Sequence, residues 1–154
     1  MKTIAELIVN RITDTVLIPN DPQKVYDLKK IIDNLSTANV DRIDALQEEI
    51  KASSDVLTLR SLFDSERTML HALTESETED TPYAEMADTR LLLLSAVSLL
   101  RGDSDITPSD WTEYFKTLAE HNPATYQRVM NKAYEVNISA NEESSVLASI
   151  DFLS

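Results

Sequence analysis

A single glycine, Gly102, stands in the 154 residues of this chain. Tight hairpins rely on glycine because their central positions need positive φ, which other L-residues adopt only at a cost. With only five prolines besides, and with Leu, Ala, Glu and Lys plentiful, the chain has few residues that turn strands back and many that suit helices. The expectation is an all-α fold, a single domain over residues 1–154 built as a helical bundle of about six to seven helices. Apolar residues at 42% and charged residues at 27% are ordinary for a globular chain and too apolar for a disordered acidic tail.

Cap and proline signals divide the chain. Thr3 and Glu6 form a capping-box pattern, and Ile4, Leu7, Ile8, Ile12 and Val16 recur at helical spacing toward Pro19, which predicts a helix over 4–17. Asp21 before Pro22, followed by Val25, Leu28, Ile31, Ile32 and Leu35, predicts a second over 22–35. Val40, Ile43, Leu46 and Ile50, then Leu59, Leu62, Phe63, Leu70 and Leu73, make one long helix or two, with the polar Ala52-Ser53-Ser54-Asp55 as the candidate break. Residues 75–81 hold four acids and no apolar residue, so they read as an exposed loop and a possible sub-boundary. Thr81-Pro82 restarts a helix running to Arg101; it is apolar nearly all round from Leu91 to Leu100, as the central helix of a bundle would be, and Gly102 is its C-cap. Thr107-Pro108 and Asn122-Pro123 open helices carrying Trp111, Tyr114, Phe115 and Leu118, then Tyr126, Val129, Met130 and Tyr134. Ser139 with Glu142 opens a last helix carrying Val146, Ile150 and Leu153.

Few chemistries survive this composition. Without cysteine there is no disulfide, zinc–thiolate site or thiol nucleophile, and a reducing compartment is compatible. His71 and His121 stand in no metal-ligand spacing, and their late-helix positions suit a cation at a helix C-terminus. Asp103-Ser104-Asp105-Ile106-Thr107 begins like a calcium loop, but Pro108 stands where that loop needs glycine and Tyr114 where it needs a bidentate glutamate, so helix capping explains these residues better. One glycine leaves neither a phosphate-cradling loop nor a glycine-flanked nucleophile elbow. Adjacent acids such as Glu48-Glu49 point in different directions along a helix. Arg101-Gly102-Asp103 spells the integrin-binding tripeptide, and Asn34-Leu35-Ser36 and Asn137-Ile138-Ser139 spell glycosylation sequons; these matter only outside the cell. No enzyme activity, metal or cofactor is expected.

Charge supplies the functional reading. Residues 1–74 carry 12 acids against 9 bases, a net −3, and residues 75–154 carry 15 against 5, a net −10. That asymmetry points to a cationic partner or to a solvated surface. The aromatic group around Trp111 is no base-stacking platform, because Asp103, Asp105, Asp110, Glu113 and Glu120 face only Lys116 nearby and would repel phosphates. Direct nucleic-acid binding is therefore not expected. In composition the chain resembles small acidic DNA-mimic proteins of phages and mobile elements, although it carries no family motif. That likeness implies a non-enzymatic inhibitor of a nucleic-acid-handling protein, which docks carboxylates on a basic surface. The candidate partner-binding residues are Glu75, Glu77, Glu79, Asp80, Glu85, Asp88, Asp103, Asp105, Asp110 and Glu113. The alternative is a structural or assembly adaptor, such as a viral particle component, acting through apolar helix faces. The Leu91–Leu100 run is about half the length that spans a bilayer, and the N-terminal residues lack a secretory pattern, so a cytoplasmic protein without a membrane partner is expected.

Overall fold

The computed structural model describes residues 11–34, 39–141 and 150. Among the described residues, six α-helices and a four-stranded antiparallel sheet make a mixed α/β structure, which overturns the all-α bundle expected from composition. The order along the chain is β1 (Thr13–Ile18), α1 (Pro22–Asp33), α2 (Val40–Ser53), β2 (Asp55–Arg60), α3 (Asp64–Ser76), a 3₁₀ turn (Tyr83–Glu85), α4 (Ala87–Ser95), β3 (Ala96–Arg101), β4 (Ser104–Ile106), α5 (Trp111–His121) and α6 (Pro123–Asn141). The Thr3–Glu6 cap lies outside the described residues, as do Val146 and Leu153 of the last expected helix.

β1, β2 and β3 replace expected helices for local reasons, whereas β4 forms where the residues were expected only to cap the next helix. Thr13, Thr15, Val16 and Ile18 are β-branched, and β1 forms where a helix over 4–17 was expected. In β2, Asp55, Leu57 and Leu59 are buried while Val56, Thr58 and Arg60 are half-buried, the alternation of a strand with one covered face. The break expected at 52–55 does fall there, at Ser54, but a strand follows it. The apolar run Leu91–Leu100 is divided: α4 ends at Ser95 and β3 begins at Ala96 without a loop. Gly102 is no helix C-cap. It takes φ +64° in the two-residue turn joining β3 to β4, and Asp103 keeps a negative φ, the sign pattern of a type II′ hairpin. α5 opens with Asp110 as N-cap, three residues after the Thr107-Pro108 signal.

The strands lie in the order β1-β2-β3-β4. Register pairs Val16 with Leu57, Leu57 with Leu99 and Leu59 with Ala96, and Val97 is the extra residue of a bulge in β3. One face of the sheet is covered: Val16, Ile18, Leu57, Leu59, Ala96 and Leu99 form a single core with Leu91 and Leu92 of α4, Phe115 of α5, and Val129, Met130 and Ala133 of α6. Fully burying a side chain such as Leu57 or Phe115 stabilises by about 1.5–3 kcal/mol. The free edge of β1 is guarded by α6, where Arg128 Nη2 donates to the Leu17 carbonyl at 2.8 Å and Lys132 Nζ reaches Asp14 Oδ2 at 3.2 Å. Inside the core, Asn137 accepts from the Leu62 amide through Oδ1 at 2.9 Å and donates to the Ala133 carbonyl at 2.7 Å, so the sequon asparagine is a buried connector. Among the described residues no helix is long and apolar enough to cross a membrane.

Candidate functional site

All ten acids singled out by charge are exposed. They fall into two sets. Glu75 lies in the last turn of α3, Glu77 follows the helix, Glu79 and Asp80 make the next turn, and Glu85 and Asp88 lie on the 3₁₀ turn and α4. Within this set Glu77 accepts from the Ala87 amide at 3.2 Å, Asp88 accepts from the Tyr134 hydroxyl, and Glu75 faces His71 Nε2 at 3.2 Å. The second set is Asp103 in the hairpin turn, Asp105 on β4, and Asp110 and Glu113 at the start of α5. Asp110 accepts from the Glu113 amide at 3.2 Å and so caps α5; Asp103 and Asp105, expected to cap that helix, instead belong to the hairpin. Among the described residues, nine of the ten form no ion pair, Glu75 with its histidine being the exception.

Asp110 and Glu113 of the second set line an open cleft of about 500 Å³ between the strand ends and one side of α5. Ile18, Asp55 and Arg101 form its strand wall; Asp110, Glu113, Tyr114, Leu118 and His121 line the helix wall. Asp55, only 4% exposed, is held by Arg101, with Nε to Oδ1 and Nη2 to Oδ2 both 3.3 Å. The pair is adjacent because Val56 and Leu100, the next residues inward, are register partners. Behind the helix wall, Trp111 stacks on Phe115 at 5.5 Å and meets Tyr114 edge-on at 5.6 Å. Burial first, and then the Asp55 carboxylate, push the Tyr114 phenol up to about 12. Three carboxylates, Asp55, Asp110 and Glu113, thus meet one guanidinium in this cleft, which favours a cation over an anion.

Charge counting missed Asp55 and Arg101. They are 46 residues apart, and the only local sign was one acid opening the alternating segment Asp55-Val56-Leu57-Thr58-Leu59-Arg60. The aromatic residues do not form a common platform: Phe115 is fully buried, while Tyr126 lies toward Tyr83, hydroxyl to hydroxyl at 3.5 Å. Among the described residues no three His, Asp or Glu side chains converge on a metal position, and neither histidine shares a hydrogen bond with a Ser or Thr hydroxyl. The fold and the cleft define a small α/β domain with a negatively charged, partly apolar groove at one end of its sheet. The chain matches no known family model, no characterised protein and no solved structure.

Proposed function

We propose that this chain is a non-enzymatic protein-binding domain that docks its β3–β4 hairpin and the start of α5 onto a basic protein surface, and that it inhibits a nucleic-acid-handling protein by occupying its phosphate-binding groove. The observation that carries this reading is the state of the ten carboxylates: all exposed, nine without an ion-pair partner among the described residues. Exposed, unpaired carboxylates keep their full charge for a partner and lose little on binding that they had gained internally. The cleft adds apolar contact from Ile18, Tyr114 and Leu118 beside Asp110 and Glu113, a combination suited to the stem and head of a lysine or arginine side chain. The absence of cysteine suits a cytoplasmic setting.

The test is an affinity pull-down from nuclease-treated extract, eluted in parallel with salt and with competitor DNA, using the native chain and the variant D103N/D105N/D110N/E113Q. The expected result is a nucleic-acid-binding protein released by both eluents and lost with the variant, since screening weakens charge pairing at increasing ionic strength. Retention unchanged by the four substitutions removes the hairpin and α5 carboxylates from the interface. Retention that resists both salt and DNA overturns charge mimicry.

A further inference from the structure

We infer that the α1–α2 hairpin is a self-association module, which pairs with the same hairpin of a second copy to form a four-helix bundle. α1 and α2 pack against each other and touch the sheet and the other helices only slightly. Of their 12 and 14 residues only Ile31 is buried, and α2 has no buried residue at all. Helices of this length are marginal in water unless an amphipathic face is covered. Yet Val25, Tyr26, Ile32 and Val40 are 39%, 53%, 42% and 48% exposed, four large apolar side chains left open to solvent on these two helices. An isolated pair of helices closes only one side of each stripe, whereas two such pairs bury both.

Charge selects a second copy as the occupant. α1 has Lys24, Lys29 and Lys30 against Asp27 and Asp33, a net +1, while α2 has Asp41, Asp44, Glu48 and Glu49 against Arg42 and Lys51, a net −2. Lys24 reaches Glu49 at 3.9 Å within the hairpin, but Lys29, Lys30, Asp41 and Asp44 form no ion pair among the described residues. A twofold arrangement sets α1 of each copy against α2 of the other, and the unlike charges meet twice. The hairpin is nearly neutral, so a strongly acidic or basic partner gains little there. Two chains of net −13 repel least when they approach through it.

Sedimentation equilibrium of the full chain up to submillimolar concentration tests this. The expected result is a monomer–dimer equilibrium that Ile32→Ser weakens by about tenfold or more, as a lost buried aliphatic group implies. K29E/K30E weakens it as well, and adding D41K/D44K to that variant restores it, a rescue that misfolding of the hairpin does not produce. A chain that stays monomeric throughout overturns the inference. So does a dimer that neither Ile32→Ser nor the charge exchange affects, because its interface then lies elsewhere.

Discussion

Asp55 and Arg101 lie side by side across β2 and β3, but they meet solvent unequally: the carboxylate side chain is 6% exposed and the guanidinium side chain 64%. Losing the two partners therefore has unequal consequences. Arg101→Ala strands a buried carboxylate without its cation, whereas Asp55→Asn leaves an arginine that water already solvates. We expect Arg101→Ala to cost about 1–2 kcal/mol. Asp55→Asn should cost less, and D55N/R101A should recover part of the loss seen with Arg101→Ala. Urea unfolding of the three variants checks this; equal losses for the two single variants would show that the burial difference has no energetic weight.

Asn137 satisfies a backbone amide that no strand or helix provides for. Asn137→Ala leaves the Leu62 N–H unpaired in a buried position, which we expect to cost about 1–3 kcal/mol. Asn131 on the same helix is exposed and, among the described residues, accepts only from Gln127, so Asn131→Ala should stay within about 0.5 kcal/mol of the native chain. Thermal and urea unfolding of the pair separate the buried connector from the surface amide. A cost at Asn137 no larger than at Asn131 would mean that the Leu62 amide finds another acceptor.

Two helix starts were more legible than any strand. Asp21-Pro22 and Asn122-Pro123 mark the starts of α1 and α6 because an oxygen side chain before a proline answers local backbone needs, independent of tertiary context. Leu91–Leu100 was ambiguous for the opposite reason: a continuous apolar run fits a buried helix or a buried strand, and periodicity does not separate them. Ile12 and Val16 are four apart and suit a helix, yet Thr13, Thr15, Val16 and Ile18 are β-branched, and β2 supplies a partner that no local window contains. One glycine seemed to argue against hairpins, but one hairpin needs only one. At the candidate site, the exposed acids could be read from charge alone, while Asp55 with Arg101 required knowledge of the β2–β3 pairing.

Three phenols hold their protons unusually tightly. Burial and then the Asp55 carboxylate raise Tyr114 to about 12; partial burial and then the hydrogen bond to Asp88 raise Tyr134 to about 12; burial and then Tyr83 raise Tyr126 further. An unfolded tyrosine ionises near 10. The folded state thus binds more protons than the unfolded state above that pH, and stability falls as pH rises from about 10 through 12. We expect ultraviolet titration of the folded chain to show at least three late phenolates, which appear together when alkaline unfolding begins. Early, independent ionisation of Tyr114 would show that its wall of the cleft is open to water.

Gly102 has open space where a Cβ would stand, with no atom of the described residues beyond its chain neighbours within 4 Å, so its requirement is one of backbone conformation. At φ +64° an alanine is strained by about 1–2 kcal/mol. An asparagine tolerates that region better through its short polar side chain. β4 is three residues long and, among the described residues, pairs only with β3, so it has little with which to resist a misfit at the turn. We expect Gly102→Ala to increase amide exchange along Ser104–Ile106 with little change in the buried strand β2, and Gly102→Asn to fall between it and the native chain. Because Asp103 and Asp105 sit on this hairpin, Gly102→Ala should also weaken binding to a basic partner without altering net charge. Neutralising the same two aspartates would then weaken binding while leaving the amide exchange of β4 near native, which separates loss of shape from loss of charge.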